Sequence, residues 1–453
     1  MKSQRKPYLS TTQIILLSFL GVILIGSVLL SLPVSSAGGR AVPYIDALFT
    51  ATTATCVTGL VTVSTAATWS VFGQAVILLL IQIGGLGIIT FMTAVMLLFN
   101  RKIGISDRLL IQDAFNLSTL SGIVAFVKKV LIGTLTVESI GACFYMTVFV
   151  PQFGARGIWV SVFNSVSAFC NAGMDIIGEN SLCDYSGNML ITLTTAALII
   201  LGGLGYIVWW DVSRVIKNRQ QNGGRFFKSL TLHSKIVLIS TAFLLIVGTA
   251  LTLCFEYNNP LTLAGLPLTD KIQAAFFQSV TTRTAGFASL PQENLTNPTA
   301  ILSLLLMFIG GSPVGTAGGI KTVTAAVLLS ITVSLISGKN SVSLFGRTIS
   351  KQSVYKAVAV TVMSFSVMFV STLLLSAVTN APALDILFET VSATATVGLS
   401  RSLTGALNLL GKLIIIFTMY FGRVGPISIA IAFGGKNPSR NIIKNPTEEI
   451  SIG

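Results

Sequence analysis

Charge is scarce in this chain. Of its 453 residues only 10% are charged, one is histidine and five are cysteine. So few ionisable groups cannot cover the surface of a soluble protein of this length, which excludes most soluble classes. The single histidine, His233, lies at the edge of an apolar run, where an interfacial or solvated position is expected. No set of partners stands near it for a hydrolase triad or a metal cluster. The cysteines (Cys56, Cys143, Cys170, Cys183 and Cys254) show no CxxC spacing, which argues against a zinc site and a disulfide framework. No G-x-x-x-x-G-K-[ST] stretch occurs, and no G-x-G-x-x-G in a βαβ setting, so nucleotide control requires a separate subunit. Low-complexity tracts are absent.

What fills the chain is hydrocarbon. It is 52% hydrophobic with a mean hydropathy of +0.83. Eight apolar runs read as spans: 11–32, 74–99, 130–150, 189–212, 235–255, 300–336, 357–378 and 409–433. Most reach the roughly 20 residues needed to cross about 30 Å of hydrocarbon. The 300–336 run is longer and interrupted. The first follows Lys2, Arg5 and Lys6 like a signal peptide. It is too long for such a segment and has no cleavage site directly after it, so it is expected to be retained.

The net charge of +14 is unevenly placed. With the N-terminus inside, the inner segments, among them Arg101, Lys102, Lys128, Lys129, Arg214, Lys217, Arg219 and Lys436, carry 21 basic residues against five acids. The outer segments carry six basic residues against nine acids. That asymmetry is the positive-inside pattern and puts both termini in the cytoplasm of a plasma-membrane protein. A nucleic-acid binder is disfavoured, because the basic residues flank spans and form no basic domain.

Between the spans one unit recurs four times. Gly59, Gly173, Gly286 and Gly398 are separated by 114, 113 and 112 residues, and ten residues before each stands Phe49, Phe163, Phe276 or Phe388. Each glycine closes a polar stretch: Thr55-Cys56-Val57-Thr58, Phe169-Cys170-Asn171-Ala172, Thr282-Arg283-Thr284-Ala285 and Thr394-Ala395-Thr396-Val397. Short amphipathic segments lead into them, at 44–53, 157–167, 271–280 and 383–392. These are too short to cross a bilayer and suit re-entrant half-helices, whose carbonyl ends favour a cation. Four unrelated polar outer loops would not keep one phenylalanine-to-glycine offset. Glycine permits backbone angles that turn carbonyl oxygens toward an ion. Neutral carbonyls replace the shell of K+ adequately, whereas Ca2+ or Mg2+ would want several carboxylates. Glu389 is the only carboxylate between phenylalanine and glycine in any repeat.

The span–pore–span plan with four glycine-ended stretches resembles the Trk/Ktr/HKT superfamily of potassium uptake proteins, most closely the bacterial Ktr-type membrane subunits. The resemblance runs from Tyr8 to Gly435. It implies an all-α integral membrane protein: eight transmembrane helices and four re-entrant pore loops in four tandem repeats around a pseudo-four-fold axis. The repeats are 8–100, 101–217, 218–338 and 339–435, with a cytoplasmic tail at 436–453. Carried over by position, the K+ filter is Val57, Thr58 and Gly59, Asn171, Ala172 and Gly173, Thr284, Ala285 and Gly286, and Thr396, Val397 and Gly398. In plant relatives a serine at the first of these glycines is associated with sodium transport; Gly59 favours potassium. The family precedent adds a homodimer with one pore per protomer, a cytosolic ring that binds ATP or ADP, and Na+ as a candidate activator. The chain itself carries no cofactor.

A second glycine feature follows each pore stretch: Gly84-Gly85-Leu86-Gly87, Gly202-Gly203-Leu204-Gly205, 310–319, and Gly422-Arg423-Val424-Gly425-Pro426. Close helix packing suffices to explain the first two. The third, built on Gly310, Gly311, Ser312, Pro313, Gly315, Gly318 and Gly319, cannot stay helical and is read as a gate. Arg423, at the matching depth of the fourth repeat, is expected to hold that loop, or else to cap a kink. Lys321 is expected to snorkel inward and Glu138 to pair with a neighbouring helix. Arg283, a cation inside a filter stretch, is expected to turn behind it and pair with Glu389 or Asp270.

Two other classes compete. An ion-coupled secondary transporter (Na+ or H+ symport) would show inverted repeats, whereas two crossings per unit make these repeats parallel. A membrane enzyme needs a convergent acid, base or nucleophile set, which is missing.

Overall fold

The computed structural model describes residues 10–99, 104, 108–109, 111–112, 122–178, 180–218, 226–339, 341–425, 428–429 and 432. The tail at 436–453, the N-terminal basic residues and the centre of the connector between 214 and 235 lie outside them.

Each unit opens with a long helix and a shorter one that packs on it. In the first, α1 (Thr11–Ser31) precedes α2 (Tyr44–Cys56). In the second, α5 (Ile123–Phe153) precedes α6 (Ala155–Cys170). In the third and fourth, α9 (Leu232–Glu256) precedes α10 (Leu268–Thr281), and α13 (Lys351–Val378) precedes α14 (Ala383–Ala395). Pro43, Pro267 and Pro382 cap α2, α10 and α14, where a missing N–H costs nothing. The short helices begin where expected, at or a few residues before the amphipathic segments. They run beyond their expected ends, so Thr55, Cys56, Phe169 and Cys170 are helical rather than part of the loops.

The helices that follow the glycines each start on a side-chain cap. Ser70 caps α3 (Val71–Leu86), Asn188 caps α7 (Met189–Leu204), Thr296 caps α11 (Asn297–Phe308) and Asn408 caps α15 (Leu409–Val424). All four end at the second glycine feature. Gly87 (φ 84°) and Gly205 (φ 86°) turn the chain into α4 (Ile88–Leu98) and α8 (Tyr206–Lys217). The bends are 103° and 95°. The first two glycine clusters are therefore breaks as well as packing sites, because a positive φ cannot continue a helix. Two of the expected spans are bent pairs. The 300–336 run is α11 and α12 (Thr322–Ile336) with a loop between. Among the described residues three unbroken helices are long and apolar enough to cross a membrane, or up to five if each bent pair counts as one span. A two-strand hairpin, Ser343–Leu344 with Arg347–Thr348, departs from the all-helical expectation.

Packing closes the units into a cycle. α3 lies on α6, α7 on α10, α11 on α14, and α15 returns to α2. Phe49, Phe163 and Phe388 are fully buried. In the third unit the fully buried ring is Phe277, with Phe276 half-buried. That helix end is offset by one residue.

Candidate functional site

The four short helices converge by their C-terminal ends. In three of them the chain leaves through a left-handed residue: Val57 (φ 55°), Asn171 (φ 59°) and Thr396 (φ 53°). The next N–H of each reaches back to the last turn, from Thr58 to the Thr53 carbonyl, Ala172 to Ser167 and Val397 to Ser392, each at 2.8 Å. This is a Schellman closure, with residues other than glycine at its left-handed position. A β-branched valine or threonine there stores roughly 1–2 kcal/mol of strain, of the kind that collects at functional sites. The third unit closes differently, from the Ala285 N–H to the Thr281 carbonyl, and its left-handed residue is Thr284 (φ 63°).

Gly59, Gly173, Gly286 and Gly398 follow, all with positive φ. A Cβ on each would lie under 3.0 Å from a carbonyl oxygen of the next unit: Ala172 from Gly59, Ala285 from Gly173, Val397 from Gly286 and Thr58 from Gly398. The glycines thus form a closed ring with four carbonyls interleaved. Hydroxyls in the last helical turn hold it. Thr53 Oγ1 accepts the Gly59 N–H at 2.9 Å and Ser392 Oγ the Gly398 N–H at 3.0 Å. Ser167 Oγ donates to the Met174 carbonyl and Thr281 Oγ1 to that of Phe287. These four hydroxyls were missed. Their signal, a hydroxyl six residues before glycine in three repeats and five in the other, is in the sequence.

Above the ring opens a vestibule of about 530 Å³, lined by all four glycines and by Asp175 and Glu293. Burial among the surrounding loops pushes the Asp175 carboxyl up to about 6, against hydrogen bonds from Ser181 and the Ile177 and Gly178 backbone. Arg401 braces the rim, its Nε on Asp385 at 2.7 Å and its guanidinium on the Gln292 and Leu295 carbonyls.

On the other side of the ring lies the glycine-rich loop between α11 and α12. Its ends pair at the neck, Ile309 with Ile320, and the Thr322 N–H meets the Gly311 carbonyl at 3.0 Å. The N–H groups of Ser312 and Thr316 bond the Gly203 and Gly202 carbonyls, and the Tyr206 N–H bonds the Val314 carbonyl. Gly318 N–H donates to Thr284 Oγ1 at 3.1 Å, and Thr316 Oγ1 donates to Asn171 Oδ1 at 2.9 Å. Arg423 Nη1 donates to the Thr316 carbonyl at 2.7 Å and Nη2 to the Gly84 carbonyl. The loop is therefore bonded to units two, three and four, and Arg423 links it to unit one. Pro313, Gly310 and Gly319 complete its turns, Gly319 with φ 65°.

Two expectations fail here. Lys321 does not snorkel; its Nζ caps the Ala317 carbonyl at 2.6 Å, because the loop leaves that acceptor free within reach. Arg283 does turn behind the ring, but it pairs with neither Glu389 nor Asp270. Its Nη2 faces the Gly310 carbonyl at 3.4 Å. Glu389 is already satisfied by the Ser400 and Thr404 hydroxyls. Glu138 does meet a neighbouring helix, accepting from Gln82 Nε2 at 3.3 Å. Among the described residues no group of three or more His, Cys, Asp or Glu is arranged to hold a metal.

Residues 4–445 match the TrkH family, described as cation transport proteins. The chain belongs to that family. The chain is 40% identical to the Ktr system potassium uptake protein B of Bacillus subtilis, over 97% of this chain and 96% of that protein. It is also 40% identical to the potassium/sodium uptake protein NtpJ of Enterococcus hirae, over 100% and 99%. The crystal structure of the potassium transporter TrkH from Vibrio parahaemolyticus matches the fold with a TM-score of 0.74 at 17% identity, covering 96% of this chain and 86% of that one. TrkH family members are multi-pass membrane transporters and not enzymes, which removes the membrane-enzyme reading.

Proposed function

We propose that this TrkH-family chain is a channel-like potassium uptake subunit of the cell membrane, conducting K+ through the ring of four glycine turns. The observation that carries the reading is the interleaving of the Thr58, Ala172, Ala285 and Val397 carbonyls with the four glycines. Fixed carbonyl dipoles can replace the hydration shell of K+. Val57, Asn171, Thr284 and Thr396, held left-handed, turn successive carbonyls toward the axis. The fold is then four span–pore loop–span repeats about a pseudo-four-fold axis, with eight membrane crossings, the broken spans included, and four re-entrant loops. The names of the relatives, potassium uptake and potassium/sodium uptake proteins, support the same substrate and make Na+ a second ion to test.

The loop at 309–321 is the gate. Its bonds to Asn171, Thr284 and Arg423 hold it directly behind the ring, and the Arg423 guanidinium adds a positive barrier there. Control comes from a separate cytosolic nucleotide-binding ring on a homodimer of this chain, with both termini cytoplasmic. The absence of a nucleotide fingerprint and the basic inner segments support that arrangement.

The test is growth at low external K+ of a bacterium lacking its own K+ uptake, with and without this chain, followed by K+ flux into vesicles holding the purified protein. Passive flux that follows the K+ gradient supports a channel. Uptake that requires a Na+ or proton gradient would instead make it a coupled transporter.

A further inference from the structure

Arg283 stands in a filter stretch, yet the ring does not use its charge. It is 7% exposed, and among the described residues no carboxylate pairs with it. Its Nη2 makes one long bond to the Gly310 carbonyl, and its Nε has no partner. A buried guanidinium carries five N–H donors, so leaving them unpaired is costly. The side chain lines a small cavity of about 10 Å³ with Thr241, Leu245, Val280, Gly203 and Gly311. That volume holds about one water molecule. Thr241, on α9, is buried as well and its Oγ1 also lacks a partner. Two unpartnered polar groups thus face one cavity of water size.

The position matters because of what surrounds it. Gly310 is one side of the loop neck; Gly318, hydrogen-bonded to Thr284, is the other. Adjacent residues of the third filter turn therefore grip both sides of the neck. Filter turn three lacks the Schellman closure of the other three and is held to its own helix by a different pattern, Arg283 N–H on the Val280 carbonyl and Ala285 N–H on that of Thr281.

We propose that Arg283 is a specificity-determining positioning residue. It ties filter turn three to the loop neck directly through Gly310, and to α9 through one water shared with Thr241. The preference for K+ over Na+ then depends on the loop being closed. This rests on the ring being the filter and the loop the gate. By linkage, whatever opens the loop loosens turn three, and an ion that fits turn three favours the closed loop.

Charge and geometry separate cleanly. A field from Arg283 acts on K+ and Na+ alike, so removing it raises both fluxes and leaves their ratio alone. A change in the ratio requires a change in the ring. Arg283→Lys keeps the charge but loses the planar fork and Nε. Vesicle flux in K+ and in Na+ is measured for Arg283→Lys, Arg283→Gln and Thr241→Val, each checked for monodisperse elution. All three should lower the K+/Na+ ratio, the two arginine variants by about fivefold or more, the low end for coupled sites. Arg283→Gln alone should also raise total flux. In a background with 312–317 deleted, the ratio should already be low and Arg283→Lys should not lower it further. A wild-type ratio in Arg283→Lys and Thr241→Val, or an equal fall with and without the loop, overturns the proposal. Should Arg283→Lys not fold, Thr241→Val decides. The deletion flux tests the gate separately: no rise there removes the gate, whatever the ratio does.

Discussion

At the scale of single residues the ring has no room for side chains. Gly59 has φ 99°, and a Cβ on it would meet the Ala172 carbonyl and the Gly398 and Gly173 backbones. Gly59→Ser must therefore displace one of the interleaved carbonyls, with roughly 1–2 kcal/mol of backbone strain besides. The expected outcome is a K+/Na+ flux ratio several-fold lower than wild type; an unchanged ratio removes Gly59 from the filter. Asp175 lines the vestibule above the ring, the entry route in the proposed function. Its carboxyl, raised to about 6 by burial, is anionic above that value and neutral below it. Acidifying the outer side through about 6 should thus strip a negative charge from the vestibule and reduce uptake at low external K+. Asp175→Asn should be slower at neutral pH and flat across that range, read as K+ uptake against outer pH.

At the scale of elements, the glycine breaks decide what each helix does. Gly84, Gly202 and Gly422 lie where a Cβ would strike the Thr55, Phe169 and Thr394 carbonyls, so α3, α7 and α15 pack against helix ends feeding the ring. The chain then turns at Gly87, Gly205 and Gly425, each with positive φ. In the third unit the break grows into the loop, and Arg423 from the fourth reaches across to its Thr316 carbonyl. Arg423→Ala and deletion of 312–317 should each raise K+ flux without any cytosolic partner. The double variant should be no faster than the better single one, because both remove the same obstruction. Flux at wild-type level in all three, with normal folding, places the gate elsewhere.

At the scale of the whole molecule, the proposed function makes the basic inner segments the surface for a cytosolic partner. Arg214 is partly committed, its Nη2 on Asp211, which also accepts from Thr231 and so joins α8 to α9. Lys217 and Arg219 are the better residues to neutralise; Arg219 lies outside the described residues. Lys217→Gln with Arg219→Gln should weaken co-purification of the cytosolic subunit and make it more sensitive to salt. Binding intact in that variant would assign the face to anionic lipid instead.

The sequence by itself determined the four-fold repetition, the apolar runs, the position of each glycine turn and the identity of the loop-forming stretch. These are local: glycine permits the left-handed backbone of a turn, and a glycine-proline run cannot continue a helix at ordinary cost. The offset of the third repeat was half legible, since Phe276 and Phe277 are both present and only packing selects which one is buried. What only the tertiary structure decided is pairing. The sequence offered Arg283 two acids, yet Glu389 is bonded to Ser400 and Thr404, and the guanidinium meets the Gly310 carbonyl. Lys321 found a carbonyl before it found the inner face. Buried polar groups take the acceptor that the fold leaves free, and which acceptor that is depends on how the segments pack.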